Sequence, residues 1–134
     1  MTVPIRFIMA VGGLLGLALL PGCGPSVQGF YVGHRDIKAP KHIAGTAGVV
    51  ELKLKSGNRF ELLQYSLPVE GTYEVRDNKI YLTAKTSLGH DLAGSGQGMY
   101  LVKDDGGGWE LHDPLGPMPE PVLLTEKEEP IPKQ

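Results

Sequence analysis

The segment Val49-Val-Glu-Leu-Lys-Leu-Lys55 decides the fold of this chain. Every second residue from Val50 to Leu54 is apolar, and the residues between them are charged. A period of two with one charged face is typical of a β-strand that is buried on one side only. The turn residues Ser56-Gly57-Asn58 follow, and Arg59–Tyr65 repeats the alternation. Because glycine and asparagine tolerate positive φ, the stretch predicts a β-hairpin with one buried face.

Two further hairpins are predicted on the same grounds. The pair Asp77-Asn78 joins two alternating segments and tolerates left-handed geometry, and the turn Asp104–Gly108 joins two more. Between these hairpins the glycine-rich stretch Gly89–Gly98, with His90 and Asp91, is expected to be a mobile loop. The seven predicted strands are Gly29–Val32, Val49–Lys55, Arg59–Tyr65, Gly71–Arg76, Lys79–Ala84, Gly98–Val102 and Trp109–His112.

Seven short strands joined mostly by tight turns predict an all-β domain, a small antiparallel meander. The sheet is expected to curl into a lipocalin-like barrel or half-barrel, because curling buries the inward side chains and removes free edges. No segment after Pro21 has a helical period, so almost no helix is expected. The proposed core is Val50, Leu52, Leu54, Phe60, Leu62, Tyr73, Val75, Ile80, Leu82, Met99, Leu101, Trp109 and Leu111.

The first residues have the organisation of a signal peptide. Residues 1–6 carry one positive charge, at Arg6, and Phe7–Leu20 is apolar or glycine throughout. This run is shorter than the roughly 20 apolar residues of a membrane-spanning helix, and it fits the apolar core of a secretory signal. The single cysteine of the chain, Cys23, follows this run. An unpaired cysteine in an exported protein invites intermolecular pairing unless another chemistry consumes its thiol.

The sequence Leu20-Pro21-Gly22-Cys23 resembles the bacterial lipobox, in which a branched apolar, a variable and a small residue precede a cysteine. The resemblance implies that Cys23 is a lipidation site and that cleavage falls just before it. Two or three acyl chains would anchor the exported protein stably to the cell envelope. Gly24 in place of aspartate resembles the signal for the periplasmic face of the outer membrane, if the host is Gram-negative.

Composition divides the chain into four segments. Residues 1–22 form the signal peptide, 23–28 the lipid-anchored tether and 29–113 the β domain. Residues 114–134 are rich in proline and glutamate, with little hydrophobic support apart from Val122–Leu124. This composition predicts a disordered tail.

Charge and cysteine content argue against a nucleic-acid-binding protein and against a disulfide-stabilised fold. The full chain has a formal net charge of −2 at pH 7, and loss of Arg6 with the signal peptide leaves twelve basic and fifteen acidic residues. An acidic domain without a basic patch does not indicate nucleic-acid binding. With one cysteine there is no disulfide framework, so the fold depends on its core.

No motif has a catalytic spacing, so no catalytic residue and no cofactor is predicted, and the chain is not expected to be an enzyme. A hydrolytic set of His90 and Asp91 with Ser87 or Ser95 would need a fixed geometry, which a mobile loop does not provide. Four histidines are the only candidates for metal ligands: His34, His42, His90 and His112. They fall on separate loops and strand ends, whereas zinc or copper needs three or four converging side chains, so no metal site is predicted.

The order of these pieces also resembles the N-terminal domain of the NlpE-type copper-resistance and envelope-stress lipoproteins. The likeness rests on the lipobox at Cys23, the strand Val49–Lys55 and the segment Gly71-Thr-Tyr-Glu-Val-Arg-Asp-Asn-Lys-Ile-Tyr-Leu82. It implies a small lipid-anchored β domain over residues 29–113, related in shape to half a lipocalin barrel. The family's cysteine pair is missing, since Pro40-Lys41-His42-Ile43-Ala44 offers no thiol, so no redox or copper-sensing role is implied.

Two classes of function remain open. As a binding module, the barrel would hold a small hydrophobic ligand, a metal or an envelope partner, as a stress sensor does. Three tyrosines lie on the faces opposite the proposed core: Tyr65, Tyr81 and Tyr100. They would supply a contact surface or be isolated surface tyrosines. As a structural protein, the chain would be a lipid-tethered spacer whose acidic tail reaches other proteins. The sequence favours a non-enzymatic envelope lipoprotein that acts through protein or small-ligand contacts and is held to the membrane through Cys23.

Overall fold

A computed structural model of the chain describes residues 26–38, 40, 43, 45, 47–92 and 98–132. The predicted signal peptide, Cys23 and His42 lie outside these residues. Within them the chain forms nine strands: β1 (Gly29–His34), β2 (Val49–Lys55), β3 (Arg59–Gln64), β4 (Leu67–Arg76), β5 (Lys79–Ser87), β6 (His90–Asp91), β7 (Met99–Lys103), β8 (Trp109–His112) and β9 (Val122–Lys127).

Eight of these nine strands form a closed antiparallel barrel. Around the barrel the order is β1, β2, β3, β4, β5, β7, β8 and β9, and β9 pairs again with β1. The short β6 extends the sheet from the end of β5, where His90 pairs with Ser87. The prediction of an all-β, antiparallel, lipocalin-like barrel is confirmed, and the barrel is closed rather than half-open.

Helical conformation is confined, within the described ranges, to Ile43, Gly45 and Ala47 between β1 and β2. None of the described residues belongs to a helix with the length and apolar character that crossing a membrane requires.

The connections between strands alternate between the two ends of the barrel, because neighbouring strands run in opposite directions. Residues Ser26–Gln28 enter β1 at one end, which we call the tether end. Tight turns close the tether end: 56–58, 77–78 and 104–108. The opposite, distal end carries the remaining connections, three of them long: 35–48, 65–66, 88–98 and 113–121. The segment that follows β9 also leaves the barrel at the tether end.

The inward side chains of the barrel strands pack into one continuous apolar cluster. The proposed core is confirmed at every position except Val75, which is 51 % exposed at the rim of the tether end. Five buried apolar residues were not in the predicted set: Phe30, Tyr31, Ala84, Val122 and Leu124. An eight-stranded barrel is just wide enough for side chains to fill it, and side chains fill this one.

The C-terminal segment corrects the prediction of a disordered tail over residues 114–134. Val122–Lys127 is β9, which pairs with β8 on one side and with β1 on the other. Val122 and Leu124 are buried while Leu123 is exposed, so this short segment has the alternation of a strand. The β domain therefore extends from Gly29 to Lys127, and barrel closure depends on β9, which lies within the proline- and glutamate-rich C-terminal segment.

Two other boundaries differ from the prediction. The strand β4 begins at Leu67 rather than at Gly71, with Pro68 opposite Leu63 of β3. The predicted mobile loop contains β6, so His90 and Asp91 lie in a short strand. Residues 93–97 of that loop are outside the described part of the chain.

Gly71 allows β4 and β5 to approach closely where the sheet bends. The register between these strands shifts between Glu70 and Gly71. A Cβ atom at Gly71 would collide with the carbonyl oxygen of Thr83 and lie 2.8 Å from the Phe60 ring. Glycine at such a shift is a device for curving a sheet into a barrel.

Two buried tyrosines close the core near the tether end. The Tyr73 hydroxyl donates to the carbonyl of Lys55 at 3.1 Å, and the Tyr31 hydroxyl donates to the carbonyl of Val27 at 2.7 Å. Burial raises the pKa of both phenols, and for Tyr31 the nearby Glu126 carboxylate raises the pKa further. The bond to Val27 fixes the residues before β1 against the barrel.

Candidate functional site

The predicted outward tyrosines belong to a cross-strand row on the barrel exterior. Glu74 of β4 lies opposite Tyr81 of β5, Tyr81 opposite Tyr100 of β7, and Tyr100 opposite His112 of β8. The Tyr100 and His112 rings stack with centroids 4.8 Å apart, and the Tyr81 and Tyr100 centroids are 6.4 Å apart. The Arg76 guanidinium lies 4.2 Å from the Tyr81 ring centroid.

The rings of this row pack against one another and are half-buried. Cross-strand aromatic pairs stabilise a sheet, and the flanking cations of Arg76 and Lys79 add cation–π contacts. These contacts stabilise the sheet, and they are enough to explain the row without a bound ligand. Tyr65 does not join it, because Tyr65 lies in the β3–β4 turn at the distal end.

The candidate histidines are placed on different elements. His34 ends β1 and His90 begins β6, both exposed, while the half-buried His112 ends β8 with its Nε2 atom 3.3 Å from a Glu110 carboxylate oxygen. Among the residues that the structure describes, no three metal-ligating side chains come together. His42, the fourth candidate, lies outside those residues.

A charged cluster occupies the exterior of β2 and β3. Lys55 Nζ lies 2.5 Å from Glu61 Oε1, and Lys53 Nζ lies 2.7 Å from Glu129 Oε1. The hydrogen bond from Lys55 lowers the pKa of the Glu61 carboxyl, and the hydrogen bond to Glu129 raises the pKa of Lys53. All four groups are substantially exposed, so the pairs contribute little to stability.

The distal end contains a buried guanidinium. Arg35 follows β1 and is 4 % exposed. Its Nη1 donates to the carbonyls of Glu120 at 2.8 Å and Met118 at 3.3 Å, and its Nη2 donates to Gln64 Oε1 at 3.4 Å. Arg35 thereby ties the 113–121 connection to β1 and to the end of β3.

Two further groups complete this network, and two polar atoms in it have no partner. The Gln64 amide donates from Nε2 to Asp113 Oδ2 at 3.1 Å, and the Arg35 guanidinium lies 5.5 Å from the Tyr65 ring centroid. The Arg35 Nε and the Tyr65 hydroxyl are buried without a hydrogen-bond partner. Unpaired buried polar groups cost stability and require an explanation.

A cleft of about 630 Å³ opens beside this network. One wall is the chain from His34 to Lys38, and the other is formed by Met118 and by Glu120–Val122. Ile37 and Val122 supply apolar surface, and Arg35 supplies a buried cation. Its volume lies within the range of small-molecule sites, about 300–1,000 Å³.

The tight turns at the two ends of the barrel differ in strain. At the tether end, the positions with positive φ in the hairpin turns are all glycine, asparagine or aspartate, which tolerate it: Gly57, Asn58, Asp77, Asn78 and Gly107. At the distal end, Tyr65, Ser66 and Leu88 have φ values of 54°, 60° and 52°. A left-handed conformation is costly for bulky residues and is concentrated at functional sites in proteins.

Replacing Leu88 by asparagine is expected to stabilise the protein. Leu88-Gly89 forms a two-residue hairpin turn, for which Asn-Gly is the favoured pair. Because Leu88 is 65 % exposed, its removal sacrifices little packing. The free energy of unfolding, measured by urea denaturation, should rise by about 1 kcal/mol, which is the lower end of the cost of a left-handed conformation for a residue other than glycine.

The matched control is Asp77→Leu. Asp77 occupies the equivalent first position of the β4–β5 turn, with the same φ of 52°. This change should lower the free energy of unfolding by a similar amount. A Leu88→Asn protein less stable than the wild type would show that Leu88 is not strained.

Sequence reasoning missed the residues that distinguish the distal end. Arg35 and Gln64 are polar residues of the kind that usually face solvent. Their partners are far away in sequence, at Met118, Glu120 and Asp113. The turns Tyr65-Ser66 and Leu88-Gly89 each contain one residue that favours a turn, but the sequence does not indicate that Tyr65 and Leu88 adopt positive φ.

Comparisons of the chain with protein-family models, curated proteins and solved structures find no match. The lipobox and the likeness to NlpE-type domains therefore stay predictions from sequence, and any functional assignment depends on the geometry of the barrel.

Proposed function

We propose that this chain is a lipid-anchored protein of the bacterial cell envelope that acts without catalysis, by binding a ligand or a protein at the distal end of its barrel. The observation that carries the proposal is the contrast between the two ends. The tether end has suitable turn residues, whereas the distal end has Tyr65, Ser66 and Leu88 in left-handed conformations and the buried Arg35.

The position of the tether supports this orientation. A lipid on Cys23 would be separated from β1 by only residues 24–28, and the bond from Tyr31 to Val27 holds the end of that segment on the barrel. The tether end would then lie close to the membrane. The distal end would point away from the membrane, towards other components of the envelope.

The filled interior supports a site on the barrel end rather than inside the barrel. Side chains such as Leu52, Phe60 and Leu101 are at most 1 % exposed and occupy the space that a ligand would need. The distal cleft between Arg35 and Val122 offers a volume without displacing the core.

Membrane attachment should depend on Cys23. Fatty-acid labelling of cells that produce the wild type should label the protein, and the label should be absent from Cys23→Ala. The variant should also move from the membrane to the soluble fraction, because its tether no longer carries acyl chains. A Cys23→Ala protein that is processed and membrane-bound like the wild type contradicts the anchor.

Distal binding can be tested by site-specific photo-cross-linking in the producing cells. A photoreactive amino acid at the exposed Leu88 or Leu115 of the distal end should give discrete cross-linked products. The same group at Asn78 or Asp105, exposed in tether-end turns, is the matched control and should give none of those products. Equal cross-linking from both ends, or none from the distal end together with no small-molecule binding there, overturns the proposal.

A further inference from the structure

The buried Arg35 has no acidic partner. All fifteen aspartate and glutamate residues of the chain lie in the described ranges, and the ion pairs found among the described residues, with a limit of 4.0 Å, do not include Arg35. The nearest acid in its hydrogen-bond network is Asp113, which is reached only through the Gln64 amide. A buried charge is normally paired, because desolvation without a counter-ion is costly.

The free donors of Arg35 are suited to an acid group. A guanidinium carries five N–H groups, and that of Arg35 makes three hydrogen bonds, to Glu120, Met118 and Gln64. The Nε group has no partner, and Nη2 has one long bond, at 3.4 Å. Nε and Nη2 share one edge of the guanidinium, and two parallel donors on an edge match the two oxygens of a carboxylate.

The neighbouring cleft limits the charge and shape of the ligand. Its other charged side chains are Lys38, Asp36 and Glu120, so two carboxylates lie near the cationic groups. Those carboxylates repel any anion, and they repel a dianion such as a phosphate monoester more strongly than a monoanion. Ile37, Pro121 and Val122 provide apolar surface for a hydrocarbon group.

We propose that the distal cleft binds a small monocarboxylate with an apolar group, and that the Nε–Nη2 edge of Arg35 holds its carboxylate. This inference rests on the proposed distal binding and names its ligand class. The Arg35 Nε is buried without solvent contact in this structure, so binding of the acid would require the cleft wall at Met118 to open. The Met118 carbonyl holds the guanidinium by the longer of the two carbonyl bonds, 3.3 Å against 2.8 Å.

The probe for this site is hexanoate, added to the full chain in detergent and followed by the NMR signal of the Arg35 Nε–H group. Hexanoate should shift this signal saturably. Hexan-1-ol, which lacks the charge, should give no saturable shift, and hexyl phosphate should bind at least fivefold more weakly. The dipeptide acid N-acetyl-valyl-leucine distinguishes the two sources of the group: tighter binding than hexanoate identifies a peptide C-terminus, and weaker binding identifies a fatty or other small acid.

The matched variant is Ile37→Trp, which fills the half-buried cleft wall and leaves the Arg35 hydrogen bonds in place. Its urea midpoint should stay near that of the wild type, while hexanoate affinity should fall at least tenfold. Arg35→Met removes the anchor, and it is interpretable only if it folds; Ile37→Trp does not share this risk.

Three outcomes overturn the inference. They are no saturable shift with hexanoate, equal binding of hexan-1-ol, or unchanged affinity in a folded Ile37→Trp. If hexanoate fails while distal positions still cross-link in cells, the ligand class is wrong and distal binding stands. If both fail, the proposed function is wrong as well.

Discussion

Replacing Ile80 by aspartate is expected to unfold the barrel. Ile80 is fully buried in β5, between Val75 of β4 and Leu101 of β7. Loss of the apolar side chain costs about 3 kcal/mol, and a buried unpaired carboxylate costs several more. Domains of this size are stable by only about 5–15 kcal/mol. Circular dichroism in a urea titration should therefore show little or no folded baseline.

The same result is expected for Leu52→Asp, because Leu52 is fully buried in β2 on the other side of the barrel. The matched control is Lys85→Asp, which places the same carboxylate at an exposed position of β5. Substitutions at such surface positions usually change stability by no more than about 0.5 kcal/mol. An Ile80→Asp protein with the urea midpoint of the wild type would show that the inward row is wrongly assigned.

Gly71→Ala is expected to destabilise the barrel strongly. The added Cβ would collide with the Thr83 carbonyl oxygen, which belongs to the backbone of β5 and cannot rotate away. It would also approach the ring of Phe60, which is 1 % exposed. Overpacking of a rigid site costs about 3 kcal/mol. The loss should appear as a lower free energy of unfolding in urea.

Gly45→Ala is the control for this prediction. A Cβ at Gly45 meets nothing within 4 Å, and Gly45 has no positive φ. The change should leave stability unaltered or raise it slightly, since alanine restricts the unfolded chain. If Gly71→Ala is as stable as Gly45→Ala, then β4 and β5 do not approach as closely as the fold requires.

The hairpins and the core were predictable because their information is local. The alternation from Val49 to Lys55 defines a buried face without reference to any other residue. Gly57-Asn58 and Asp77-Asn78 mark their turns through their tolerance of positive φ. These two signals are sufficient to predict an all-β meander.

Barrel closure and the distal network were not predictable because their information is spread over the chain. The last strand, β9, has only two buried apolar residues, Val122 and Leu124, and its strand conformation depends on pairing with β1. Arg35 resembles a solvated loop residue until its partners at Met118 and Glu120 are known. The candidate site therefore came from the three-dimensional arrangement. Of the candidate histidines that the structure describes, His34 lines its wall, whereas His90 and His112 do not.

If the protein is exported, as we propose, the pairing of β1 with β9 also limits when it can fold. If the chain crosses the membrane with its N-terminus first, β1 emerges early and its partner Val122–Lys127 emerges last. Until then β1 and β8 each present an unpaired edge, which is the kind of surface on which unfinished chains associate. Closure must therefore follow translocation. An acyl anchor at Cys23 would hold each incomplete chain at the bilayer surface during that interval.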